Sequence, residues 1–139
     1  MLAALRAEWS KRSWWMNVMF GFCLFMTLFY LPYDLFFKPI ERDEEVWFGL
    51  VLRGVWAKAT APLHWAIYAA CAWGFWKMRS WMWPWAAVYC AQITIGMVVW
   101  GITDPRGAAL TGGIAGIVFL TATIALWRAR AAFSRTASS

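Results

Sequence analysis

Residues 81–100, WMWPWAAVYCAQITIGMVVW, run for twenty positions without a charged side chain. At about 1.5 Å per residue, an α-helix of this length spans about 30 Å, the thickness of a bilayer's hydrocarbon core. Trp81, Trp83 and Trp85 crowd one end and Trp100 marks the other. Indole rings favour the membrane–water boundary, where the ring is buried and the N–H finds a partner. Lys77 and Arg79 precede the stretch, and Asp104 and Arg106 follow it. A transmembrane helix satisfies all of these features together.

Composition agrees. Of 139 residues, 63% are hydrophobic and 14% charged, against about 25% charged in a soluble domain. Thirteen tryptophans exceed what a soluble core of this size can hold, whereas two membrane interfaces accommodate them. The formal net charge is +6, but the basic residues flank apolar runs and form no aromatic-studded stripe. A nucleic-acid partner is therefore not expected.

The sequence predicts an all-α, single-domain, polytopic membrane protein with four helices in an antiparallel bundle, over residues 14–32, 62–78, 81–101 and 108–127. The first run is too long for a signal-peptide core and lacks a small-residue cleavage site, which favours a retained helix. Pro32 is expected to end or bend it. Residues 46–60 are apolar but interrupted by Arg53 and Lys58. They read as an interfacial helix with both cations snorkelling, or as an extension of the second span. Pro62 is the expected break between the two. Residues 103–107 read as a turn, and the tail 128–139 as a disordered end.

Charge sets the expected orientation. Four spans put Arg6, Lys11, Arg12, Lys77, Arg79, Arg128, Arg130 and Arg135 on one side with Glu8, a net +7. The opposite side carries a net −1. The positive-inside rule then makes both termini cytoplasmic, in a cell membrane of the bacterial inner-membrane kind.

Candidate functional residues are few. On the fourth helix Ala108, Gly112 and Gly116 recur every four residues, widened by Gly113. Small residues allow close backbone approach, so this face can pack within the chain or against another subunit or copy. Gln92 shares a face with Tyr89, and Asn17 sits inside the first helix. An amide in hydrocarbon needs a partner, so both should point inward. His64 is the only histidine, and Tyr68 and Cys71 follow it on one helical face. His64, Tyr68, Tyr89, Gln92 and Asn17 are the candidate ligand-binding residues. Asp34, Glu41, Glu44, Glu45, Arg53 and His64 are the titratable groups able to gather at the outer interface, with Asp34 or Glu45 as the acidic partner of His64. Cys23, Cys71 and Cys90 fall at similar depth. A three-thiolate site for a soft metal is weighed against three small apolar side chains, and the latter is preferred because no paired-cysteine motif is present.

No nucleophile motif, phosphate loop or paired intramembrane carboxylate occurs. No catalytic residue, metal or cofactor is expected. The partners expected are the bilayer and other membrane subunits or a second copy through the fourth helix. The leading functional expectation is a non-catalytic accessory or interaction subunit. The alternatives are a carrier or binding protein for a hydrophobic or small solute, and an enzyme acting on a lipid-like substrate at the outer interface.

Overall fold

A computed structural model of the chain describes residues 2–105 and 108–134, with side chains from residue 6 onward. The protein is mostly helical. A short helix α1 (Leu2–Ser10) precedes the long α2 (Trp14–Phe36). A hairpin of β1 (Glu44–Trp47) and β2 (Leu50–Arg53) follows, then α3 (Val55–Lys77), α4 (Met82–Thr103), α5 (Ala109–Arg128) and a short α6 (Arg130–Ser134).

Three helices, α2, α4 and α5, are long and apolar enough to cross a membrane. They make this an all-α-type membrane protein. The fourth expected span differs: α3 is 23 residues long but is diluted by Lys58, Pro62 and His64. Helix packing is antiparallel. Phe22 meets Tyr68, and Trp65 donates its indole N–H to the Thr27 carbonyl at 2.8 Å. Tyr68 meets Tyr89, while Gly74 abuts Met82. The most extensive helix–helix contact joins α4 and α5.

Pro32 and Pro62 both lie within continuous helices. Pro32 does not end α2. The helix widens into a π-turn at Met26–Tyr30, where the Leu31 N–H reaches back to the Met26 carbonyl, and then runs on to Phe36. A proline ring collides with the carbonyl four residues before it, and a wider turn relieves that collision. Pro62 lies inside α3 and separates nothing. Ahead of Pro84 the backbone of Trp83 is extended (φ −98°, ψ 127°), as the residue before a proline prefers.

The expected interfacial helix over 46–60 is also corrected. Its first part is the hairpin, with Trp47 paired to Leu50 across a two-residue turn. Phe48 and Gly49 both take positive φ, 49° and 86°, which a tight hairpin turn requires. Gly54, at φ 59°, redirects the chain into α3. Gly49 also allows a close approach: a Cβ there would stand 2.8 Å from the Val99 side chain.

The end of the bundle that carries both termini is tied together by Arg12, which is 6% exposed. Its guanidinium donates to Asn17 Oδ1 at 2.8 Å and to the Phe75 and Trp76 carbonyls at 3.2 and 3.1 Å. A cation on the last carbonyls of α3 complements that helix's dipole. The tail is ordered further than expected, because α6 buries Phe133 against Phe75 with ring centres 6.0 Å apart. Residues 135–139 lie outside the described residues, as do Arg106 and Gly107 of the expected turn.

Candidate functional site

Four charged side chains organise the hairpin end. Lys38 lies 2.7 Å from both Asp34 Oδ1 and Asp43 Oδ1, and Lys58 lies 3.2 Å from Asp43 Oδ2. Lys58 also donates to the Asp34 carbonyl and, at 3.0 Å, to the Lys38 carbonyl. Asp43 is fully buried, and its two oxygens each face an ammonium group. Burial alone would raise the Asp43 pKa, but Lys38 and then Lys58 outweigh it and hold the carboxyl below its ordinary value. Burial alone would lower that of Lys38, yet Asp34 and Asp43 hold it above its ordinary value. This neutral cluster pins the end of α2 and the following loop to the first turns of α3. It fixes where the hairpin begins.

The hairpin closes over a partly open cavity of about 210 Å³. Side chains alternate along a strand, so Glu45 and Trp47 share a face. That face meets α3: Glu45 Oε2 contacts Nδ1 of His64, and the Trp47 ring stacks on the imidazole with centres 3.9 Å apart and planes 11° apart. Val46 rests over Gly96 of α4. The mouth of the cavity is lined by Asp34, Glu44 and Glu45, and its wall by Met26, Leu31 and Met97. Tyr68, Tyr89 and Gln92 stand deeper. Gln92 is eleven residues from the hairpin end of α4, about 16 Å along the helix axis.

Two polar groups at this depth are incompletely satisfied. Gln92 is 4% exposed and its Nε2 has no acceptor; the buried Tyr89 hydroxyl has only the Tyr68 hydroxyl beside it. A buried polar group without a partner costs about 1–3 kcal/mol. A cavity that carries such a donor suits a molecule with acceptor oxygens. The His64–Glu45 pair adds a group that can hold or pass a proton at the cavity's side.

Four of the five candidate ligand residues therefore meet: His64, Tyr68, Tyr89 and Gln92 line one cavity. Asn17 does not join them. It lies at the opposite end, accepting from Arg12 and donating to the Trp9 carbonyl at 2.9 Å. Of the titratable groups, Asp34, Glu44, Glu45 and His64 line the cavity; Glu41 and Arg53 do not. Arg53 pairs with Glu44 on the hairpin at 3.2 Å. Trp47, which covers His64, is not among the residues the sequence singles out. The alternation Glu45–Val46–Trp47 was the available signal.

Gly112 and Gly116 are buried against α4. A Cβ on Gly112 would stand 2.6 Å from Gly101 Cα, and one on Gly116 2.8 Å from a Val98 methyl. The Ala108 carbonyl lies beside Gly101, while Gly113 faces open space. The three cysteines border one small apolar void. Among the described residues no three His, Cys, Asp or Glu side chains are grouped to hold a metal ion.

Comparison with protein-family models, curated proteins and solved structures finds no match for this chain.

Proposed function

We propose that this is a small membrane-embedded binding protein whose cavity, beneath the β-hairpin, takes the polar head of a small amphiphilic molecule. One observation carries the reading: a buried donor, Gln92 Nε2, stands unpartnered in a cavity of about 210 Å³ that Tyr68 and Tyr89 also line. Unpaired polar groups in an apolar surround persist where a ligand or water completes them. The accessory-subunit reading drew on the small-residue face of the fourth helix, and α4 occupies most of that face through Gly101 and Val98. The binding reading is therefore preferred.

The topology that accompanies it has four crossings. Its support is the antiparallel packing of α3 along α2, from Lys58 and the Asp34 carbonyl at one end to Arg12 and the Trp76 carbonyl at the other. A helix packed over that length shares its neighbour's span. Both termini are assigned to the cytoplasm and the hairpin to the outer face of a bacterial inner membrane, on the excess of basic residues at the terminal end.

The test is co-purification. Protein extracted from its native membrane in mild detergent should carry a small molecule, detected by mass spectrometry of the solvent extract. Met97→Trp, which fills the cavity, should lose it while retaining the wild-type circular dichroism spectrum. Identical small-molecule content in the two proteins would overturn the reading.

A further inference from the structure

The chemistry of the cavity lining restricts what can sit there, beyond saying that something does. Every carboxylate at the mouth already faces a partner: Asp34 meets Lys38, Glu44 meets Arg53, and Glu45 meets His64, which balances its charge only when protonated. A cationic head entering here must displace one of these partners to reach a carboxylate. An anionic head fares worse, since no Lys or Arg lines the cavity and three carboxylates do. The lining therefore selects against formal charge of either sign.

The deeper polar groups give the complementary requirement. An amide nitrogen donates and never accepts. Gln92 Nε2, in a side chain 4% exposed, faces this cavity without an acceptor, and the buried Tyr89 hydroxyl beside it has only the Tyr68 hydroxyl as a neighbour. Both are satisfied by an oxygen acceptor on the ligand. Met26, Leu31, Ile93 and Met97 supply an apolar wall, and thioethers pack well against the edge of a flat ring. A cavity of about 210 Å³ is smaller than the roughly 300–1,000 Å³ of drug-sized sites. It holds a head of about one ring, and its three carboxylates disfavour a phosphate.

We propose that the cavity takes the uncharged, carbonyl-bearing ring head of a lipid-soluble molecule, held by its carbonyl oxygen on Gln92 Nε2 and Tyr89 Oη beside the Met26–Met97 wall. This rests on the binding reading above and adds the class of ligand. The assignment concerns binding alone and requires no chemical step.

The experiment uses the full chain in phosphatidylcholine nanodiscs and three probes with the same decyl chain: a decyl benzoquinone, decyltrimethylammonium and decanoate. Calorimetric titration should give saturable binding of the quinone. The two charged probes should bind at least about tenfold more weakly, on the scale of one lost buried hydrogen bond. Gln92→Leu and Tyr89→Phe should each weaken the quinone by about tenfold with unchanged helical content. Gln92→Glu should shift the preference toward the ammonium probe. Should Gln92→Leu fail to fold, Tyr89→Phe and Gln92→Glu decide alone. The proposal is overturned if either charged probe matches the quinone, if the quinone does not bind saturably, or if folded variants keep full quinone affinity. In each of these cases a co-purifying molecule lost in Met97→Trp would leave the binding reading standing. Only its absence removes both.

Discussion

Asp43 shows what a single side chain does in this protein. It is the one carboxylate sealed from solvent with two ammonium groups against it. Its pKa is held below the ordinary 3.8, so its stabilising contribution is complete above that value and is lost as pH falls through the lower folded value. Lys38 is held above its ordinary 10.5. Its contribution is complete below that pH and is lost as pH rises through the higher folded value. The cluster should thus stabilise the fold evenly between these limits. Asp43→Asn leaves Lys38 and Lys58 uncompensated. Breaking a fully buried pair costs about 3–5 kcal/mol; because both lysines retain some exposure and can recover water, a loss of about 2–3 kcal/mol is expected. Thermal unfolding in detergent should show a constant gap between wild type and variant from mildly acidic to mildly basic pH. The gap should begin to narrow below 3.8 and close as pH falls through the lower folded value, where Asp43 is protonated and resembles Asn. A gap that persists unchanged at that pH would mean that the Asp43 charge is not what stabilises the cluster.

Among the elements, the β-hairpin decides the site, because it alone brings Glu45 and Trp47 onto His64. Its turn allows little change. Gly49 has φ 86°, and a Cβ there would lie 2.8 Å from Val99. Gly49→Ala combines a left-handed penalty of about 1–2 kcal/mol with overpacking of about 1–3 kcal/mol. It should lower the unfolding midpoint clearly. Phe48→Asn, at φ 49° and with a side chain 65% exposed, should be neutral or stabilising, since Asn tolerates this region. Equal midpoints for Gly49→Ala and wild type would refute this account of the turn. The hairpin also marks the limit of what the sequence reveals. Long apolar helices are legible because hydropathy alone specifies them. The Phe-Gly turn is not, because it lacks the Asn-Gly or Asp-Gly signature and lies among apolar residues that suit a helix equally well. Pro32 and Pro62 look like helix ends, and only tertiary packing keeps those helices continuous. Half of the site is legible for the same reason: His64 and Tyr68, or Tyr89 and Gln92, share faces by helical periodicity. That Asn17 turns to Arg12, five residues away, and not to Gln92 depends on how α1 folds back. Local periodicity does not record that.

At the scale of the whole molecule, the two ends differ in kind. The terminal end is basic and aromatic: Arg12 holds α3, Arg130 lies 4.7 Å from the Trp83 ring centre, and Lys77 lies 4.5 Å from that of Trp76. The hairpin end carries the buried neutral cluster and the mouth of the cavity. Between them, α5 and α2 expose large apolar side chains such as Leu110, Ile117, Leu28 and Phe29, a surface suited to lipid and not to water. Ends of such different kind suit opposite sides of a bilayer, and the proposed topology then predicts that α3 crosses it. Single cysteines in a background with Cys23, Cys71 and Cys90 replaced by alanine test this. Glu41→Cys and Ser80→Cys occupy exposed positions at opposite ends of α3. In intact cells a membrane-impermeant maleimide should label Glu41→Cys and leave Ser80→Cys unlabelled until the membrane is opened. Labelling of both positions in intact cells would mean that α3 lies along one side and that the chain crosses three times. Labelling of Ser80→Cys alone would keep four crossings but invert them, so the cavity would open to the cytoplasm and draw its ligand from the inner leaflet.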